Sequence, residues 1–340
     1  MSLNKRLIAG GKPPEVGSFD IVLYTGDGST NRTISGLTFT PDFVWIKERS
    51  STSSHYWHNS TTGAEKYMSS DYAGTEGSDS NTISEFKYGG FVIGSDSAHN
   101  QNNVTYVAWC WKCNGGVTST NTDGSINSTV QANTTFGLSI FTYTGTGSTS
   151  ATVGHGLGAA PAMIICKGTD WASSWGVYHE NISGGGTIYL EDTGTPGAEQ
   201  IANVGSSTFQ TNHIGTNNNG KNFLCYAFIE KSGLSSFGTY TGISSGNVTV
   251  TTGFQPDWVM VKCVSHSSTH WEIHDSKRVF SSNGAYRLRA NENSVDGQFN
   301  DTPIKYTSTG FYLDSSVSAN SYGDYDASGR TYIYAAFKIG

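Results

Sequence analysis

The chain has 340 residues, a formal net charge of −7, 14% charged and 12% aromatic residues, and 42 glycines. No window concentrates lysine or arginine beyond Asn4-Lys5-Arg6, so the basic stripe that nucleic-acid binding needs is missing and that partner is not expected. Met1–Val16 is polar and no apolar run approaches the length of a membrane span, so neither a secretory leader nor membrane insertion is expected.

Ser, Thr, Asn and Gly carry the polarity, with Val, Ile, Tyr and Trp between them, which reads as an all-β chain. Five cysteines form an odd, sparse set. Cys110 and Cys113 have a CxxC spacing, but no second CxxC or histidine pair follows at zinc-ligand distance. All five read as small buried hydrophobes.

In chain order, residues 1–18 form a polar arm, and a unit at 19–114 follows. It opens with the alternating strand Phe19 to Tyr24 and Tyr24-Thr25-Gly26, continues with Pro41-Asp42-Phe43-Val44-Trp45-Ile46-Lys47, and closes with Thr105 to Lys112. Residues 115–136 read as a linker holding one short edge strand near Ile126 to Val130. A second unit, 137–231, repeats Tyr143-Thr144-Gly145, the proline-led strand Pro161 to Lys167 and a closing strand around Phe223 to Ile229. A third, 232–340, repeats Tyr240-Thr241-Gly242, Pro256 to Lys262 and Thr331 to Lys338, and its abrupt junction with the second predicts close docking. The offsets from tyrosine to proline are 17, 18 and 16 residues, so the phase of one folding unit is kept three times. The expected architecture is three tandem β-sandwich repeats, jelly-roll or lectin-like, of about 100 residues each. Closing strands that are apolar on both faces are expected between two layers or in a closely packed contact between repeats.

Candidate chemistry is thin. Asp42 and Asp257 repeat after proline, but Ala162 stands at that position in the second unit, so they read as turn-capping residues. His266, His270 and His274 crowd together, and on a helix His270 and His274 would share a face, but Trp271-Glu272-Ile273 reads as strand, and four residues along a strand span about 13 Å, too far for one ion. The loop Asp314 to Asp326 is rich in oxygen ligands, which leaves calcium open as a ligand. As a contact surface, the same loop would present Asn320, Tyr322, Asp324, Tyr325 and Asp326 to a glycan or protein. Neither a catalytic motif nor a cofactor loop is present, so no enzyme, metal site or cofactor is predicted.

Taken together in this order, Tyr-Thr-Gly-x-Gly, Pro-Asp-Phe-Val-Trp-Ile-Lys and Thr-Tyr-Val-Ala-Trp-Cys-Trp-Lys resemble repeats of tail-fibre-like virion proteins of bacteriophages, marine ones in particular. Val153-Gly154-His155-Gly156-Leu157-Gly158 and Trp175-Gly176-Val177-Tyr178-His179-Glu180 are similar to a companion unit, and Ile273-His274-Asp275-Ser276-Lys277-Arg278 to a terminal one. The resemblance implies a virion structural protein of the tail fibre or appendage type that contacts a host surface glycan or protein and touches other tail or capsid proteins, with the 1–18 arm serving virion attachment or subunit contact. Its class implies a homotrimer. Capsid decoration or a tail adaptor is the architectural alternative, and a polysaccharide depolymerase the enzymatic one.

Overall fold

The computed structural model describes residues 17–279, 285–299, 303–314 and 324–340. Among the described residues the regular structure is almost entirely antiparallel β, with two single-turn α-helices, Ser97–Asn100 and Ile214–Asn217, and a 3-10 turn, Ser183–Gly185. No helix among the described residues is long and apolar enough to cross a membrane.

One strand order occurs three times. In the first wide sheet, the closing strand Thr105–Trp111 lies between the opening strand Phe19–Thr25 and the proline-led strand Phe43–Glu48; His55–Asn59, Gly63–Ser69 and Gly77–Ser78 follow outward. The second sheet places Asn222–Phe228 between Leu138–Thr144 and Met163–Gly168, and the third places Thr331–Phe337 between Ser235–Thr241 and Trp258–Cys263. Registers correspond: Phe19, Leu138 and Ser235 face Trp111, Phe228 and Phe337 from one side, and Phe43, Met163 and Trp258 face them from the other. Each wide sheet is backed by a three-stranded one, such as Arg32–Ser35, Gly90–Ile93 and Ile83–Lys87 in the first unit.

The two apolar faces of each closing strand serve two different cores. Tyr106, Ala108 and Cys110 pack inside the first sandwich, as Phe223 and Cys225 do in the second and Tyr332 and Tyr334 in the third. The opposite faces, carrying Val107, Trp109 and Trp111, then Leu224, Tyr226 and Phe228, then Ile333, Ala335 and Phe337, join one core common to all three sheets. Trp45, Ile165 and Met260, equivalent residues of the proline-led strands, meet Trp111, Phe228 and Phe337 around a small apolar cavity of about 20 Å³. Rather than standing as beads in tandem, the units close a ring around this shared axis. Phe19 meets Phe337 at 5.5 Å between ring centroids, so the first and last strands complete it.

The repeated Tyr-Thr-Gly has a packing cause. Tyr24 stacks on Tyr106, Tyr143 on Phe223 and Tyr240 on Tyr332, with centroids 5.0, 5.1 and 5.0 Å apart. Their hydroxyls donate to the carbonyl oxygens of His99, Thr216 and Tyr325. A Cβ on Gly26, Gly145 or Gly242 would meet the carbonyl oxygen of Gln101, Asn218 or Ala327 at 2.1–2.3 Å. Only glycine fits so close to backbone.

Residues 115–136 hold two strands where one short edge strand near Ile126 to Val130 is expected. Ser119–Asn121 and Ser128–Asn133 extend the second wide sheet beyond Leu138–Thr144 to seven strands, and the edge is Ser119–Asn121. Ser128 and Val130 turn inward while Thr129 stays exposed, an alternation that a Ser/Thr/Asn-rich composition conceals.

Candidate functional site

The site-forming features of this molecule lie at the three junctions of the ring, and the same contacts recur in the same direction. Ser53 of the first unit donates its N–H to Asn293 of the third (3.1 Å), Ser173 of the second to Ala73 of the first (3.0 Å), and Thr269 of the third to Thr193 of the second (3.4 Å). The Trp175 indole donates to Ser69 O (2.8 Å) and the Trp271 indole to Tyr189 O (2.8 Å). At the equivalent position His55 lies against the main chain of Arg289 and Glu292. The three strand-ending lysines, Lys47, Lys167 and Lys262, are fully buried. Lys167 Nζ donates to Gly74 O at 2.6 Å, Lys47 Nζ to Glu48 O at 2.6 Å, and Lys262 Nζ to Thr269 O at 2.5 Å. Burial holds each ammonium down, to about 8.

Polar side chains at equivalent buried positions have diverged. In the first unit His58 Nδ1 faces Ala64 O (2.9 Å), His58 Nε2 faces His99 Nε2 (2.9 Å), and His99 Nδ1 faces Asp96 Oδ1 (2.6 Å). A carbonyl only accepts, so His58 carries its proton on Nδ1 and accepts at Nε2. Burial, then the neighbouring His99, lowers His58 to about 3 and keeps it neutral. His99 Nε2 therefore donates to His58, and Asp96 holds the other face of the His99 ring at Nδ1. In the third unit the same slots hold His274 and Tyr325: the Tyr325 hydroxyl donates to Glu272 Oε2 (2.9 Å) and lies 2.9 Å from His274 Nε2. Burial pushes Glu272 up to about 7 against the pull of Arg287 and Arg289.

Two predicted contact residues, Asn320 and Tyr322, lie outside the described residues. The other three are turned inward, contrary to an exposed contact loop. Tyr325 is 0% exposed within the Glu272–His274 network, and Asp324 is 1% exposed, accepting from His270 N at 2.9 Å and pairing with Arg289 at 3.3 Å. Asp326 is 7% exposed. Packing against the Tyr240 staple draws this end of the loop into the third core.

The histidines of the third unit diverge too: His270 meets Asn291 and Glu292, His274 meets Tyr325, and His266 is exposed. Asp42 takes the N–H groups of Cys113, Gly115 and Gly116 and the Ser60 hydroxyl, and Asp257 takes Ile339 N and the Ser276 hydroxyl. Both cap backbone, as their place after proline suggests. Cys110 and Cys113 belong to different cores, and burial raises both thiols.

The junction of the first and third units is the most heavily charged. Arg278 is fully buried between Asp275 (2.6 Å) and Asp296 (2.7 Å), and Arg49 reaches Asp296 at 2.6 Å. The Trp109 indole donates to Asp275 Oδ2 at 2.9 Å, and the Arg278 guanidinium lies over its ring. Beside this network a surface groove of about 250 Å³ is lined by Arg49, whose guanidinium lies 5.0 Å from the centroid of Tyr286.

The corresponding groove between the first and second units is larger, about 370 Å³. Thr61, Thr62, Lys66 and Glu76 form one wall, and Asn127, Thr129, Thr142, Thr144 and Asn222 the other. Lys66 pairs with Glu76 at 3.0 Å, and Thr144 Oγ1 donates to Asn222 Oδ1 at 2.9 Å. Sequence reasoning missed these residues because threonine and asparagine are common throughout the chain. The one signal was the disagreement among the three units just after the proline-led strand.

Neither the curated proteins nor the solved structures compared with the chain include a match. A family described as a domain of unknown function, DUF7483, matches residues 16–339. That stretch takes in all three units and their shared core, and the chain belongs to the DUF7483 family.

Proposed function

We propose that this protein is a non-enzymatic structural component of a bacteriophage particle, of the tail-fibre or appendage type, whose outer surface meets the host. The ring of three like units around one apolar axis is the observation that carries this reading. Buried aromatic rings, buried lysines and the Arg278 ion network are spent on holding three sandwiches rigidly together, while Ser, Thr and Asn cover the outside. Symmetric arrangement is the habit of particle appendages, and here three like units lie within one chain, about the axis that a homotrimer would otherwise supply. The resemblance of the repeated motifs to tail-fibre-like proteins points the same way. Labelling this protein on intact particles and imaging them tests the assignment directly. Label on tail structures, together with competition by purified protein against particle adsorption, is the expected result; label confined to the capsid shell, or no effect on adsorption, would overturn it.

A further inference from the structure

We infer that the groove between the first and second units is a binding site for neutral oligosaccharides. The inference rests on the host-contacting reading above and names the ligand class and the place.

In a ring of three like units, whatever serves the fold recurs at every junction, so a junction that departs from the pattern has another reason for its side chains. Arg49, Thr169 and Val264 are equivalent: each donates its N–H to the first residue of its closing strand, Thr105, Asn222 or Thr331. Glu76 and Asp296 are likewise equivalent, donating their N–H groups to Thr169 O and Arg49 O, both at 2.8 Å. At the first–third junction the longer Arg49 lines the groove and pairs with Asp296. At the first–second junction Thr169 leaves that volume empty, and the groove is larger by about half.

A second departure lies on the same groove. The strand Ser128–Asn133, built from residues between the repeats, extends the second sheet beyond its opening strand. It sets Thr129 opposite Thr142 and adds Asn127 and Thr129 to the wall. The unfilled volume beside Thr169 and the added wall meet at this junction.

The wall's chemistry selects the ligand. Each threonine hydroxyl both donates and accepts, and so does each asparagine amide, which matches the paired donor and acceptor demands of sugar hydroxyls. The floor groups Tyr143 and Phe223 are buried, so the groove offers no deep apolar pocket of the kind that anchors a peptide side chain. Lys66 and Glu76 neutralise one another, and Asp170, 3.3 Å from the Asn222 amide, leaves the rim weakly negative, which favours a neutral glycan over an acidic one. The volume lies in the range of ligand clefts, about 300–1,000 Å³.

The test titrates the full chain with neutral di- to tetrasaccharides of hexoses and N-acetylhexosamines, and with acidic oligosaccharides, using ligand-observed NMR. Saturable binding of a neutral oligosaccharide is expected. Thr169→Arg, which copies Arg49 of the other junction, should weaken it at least tenfold without lowering thermal stability, and so should Thr129→Trp. Ser50→Trp, beside the other groove, should leave binding intact. Preference for acidic sugars, binding insensitive to both groove variants, or no binding to any sugar would overturn the proposal. Host-cell binding by the same proteins separates the two levels: if wild type and Thr169→Arg bind cells equally, only the groove assignment fails. If wild type does not bind cells at all, the host-contacting reading fails with it.

Discussion

Lys167 of the second unit donates to the carbonyl oxygen of Gly74 in the first across 2.6 Å, with its ammonium removed from water. Lys47 and Lys262 are buried at the equivalent positions. Such a group favours folding only while its hydrogen bonds are made, because burying a charge without partners is costly. Lys167→Met keeps the apolar stem and removes the donor. It should lower unfolding free energy by about 1–3 kcal/mol, the cost of leaving the facing carbonyl unsatisfied. Urea denaturation measures it, and an unchanged midpoint would show that the contact contributes nothing.

Arg278 lies fully buried between two carboxylates, and the loss of one leaves a guanidinium short of compensation. Asp275→Asn should therefore cost about 3–5 kcal/mol. Trp109→Phe removes the indole donor to the same carboxylate and part of the ring beneath Arg278, but leaves both carboxylates charged, and should cost less. A reversed order in chemical denaturation would contradict the network as described.

The shared axis makes folding collective. Trp45→Ala opens a void where all three sheets meet and should cost about 3–5 kcal/mol. Because that core belongs to all three units, the loss should shift one common transition. Separate melting of the units by calorimetry would mean that they behave as independent domains.

Stability should fall in mild acid. Burial lowers His58 to about 3 and His179 to about 4, and it also lowers His55, His155, His270 and His274. In the unfolded chain each binds a proton near pH 6.5. Below that value the unfolded state holds more protons, so unfolding is favoured as pH drops. Glu272 acts in the opposite sense: raised to about 7 from 4.5, it holds a proton in the folded state that the unfolded chain has released, and it offsets about one histidine. The urea midpoint should decline from pH 7 to pH 5, and His179→Gln should flatten that slope by about one proton.

With its axis filled by its own three units, the chain should behave as a single copy about that axis. Light scattering is expected to give a mass near 36.4 kDa. A stable species of three times that mass would require a trimer built on some other surface.

Much of this architecture was legible in the sequence. The Tyr-Thr-Gly staples, the proline-led strands and the aromatic closing strands are local patterns, and period-two alternation with glycine-bearing turns dictates strands wherever they occur. Even the doubly apolar closing strands announced burial on both faces. What covers the second face was decided only by tertiary structure: three sheets turned toward one axis, because each sandwich leaves an aromatic face that water would otherwise meet. The same packing drew Asp324 and Tyr325 inward from a loop that reads as exposed, and added a second strand, Ser119–Asn121, outside the one expected between the first two units. The groove was illegible for a related reason. Its residues come from separate stretches of the chain, and their only common property, that one junction lacks the arginine another carries, exists once the ring has closed.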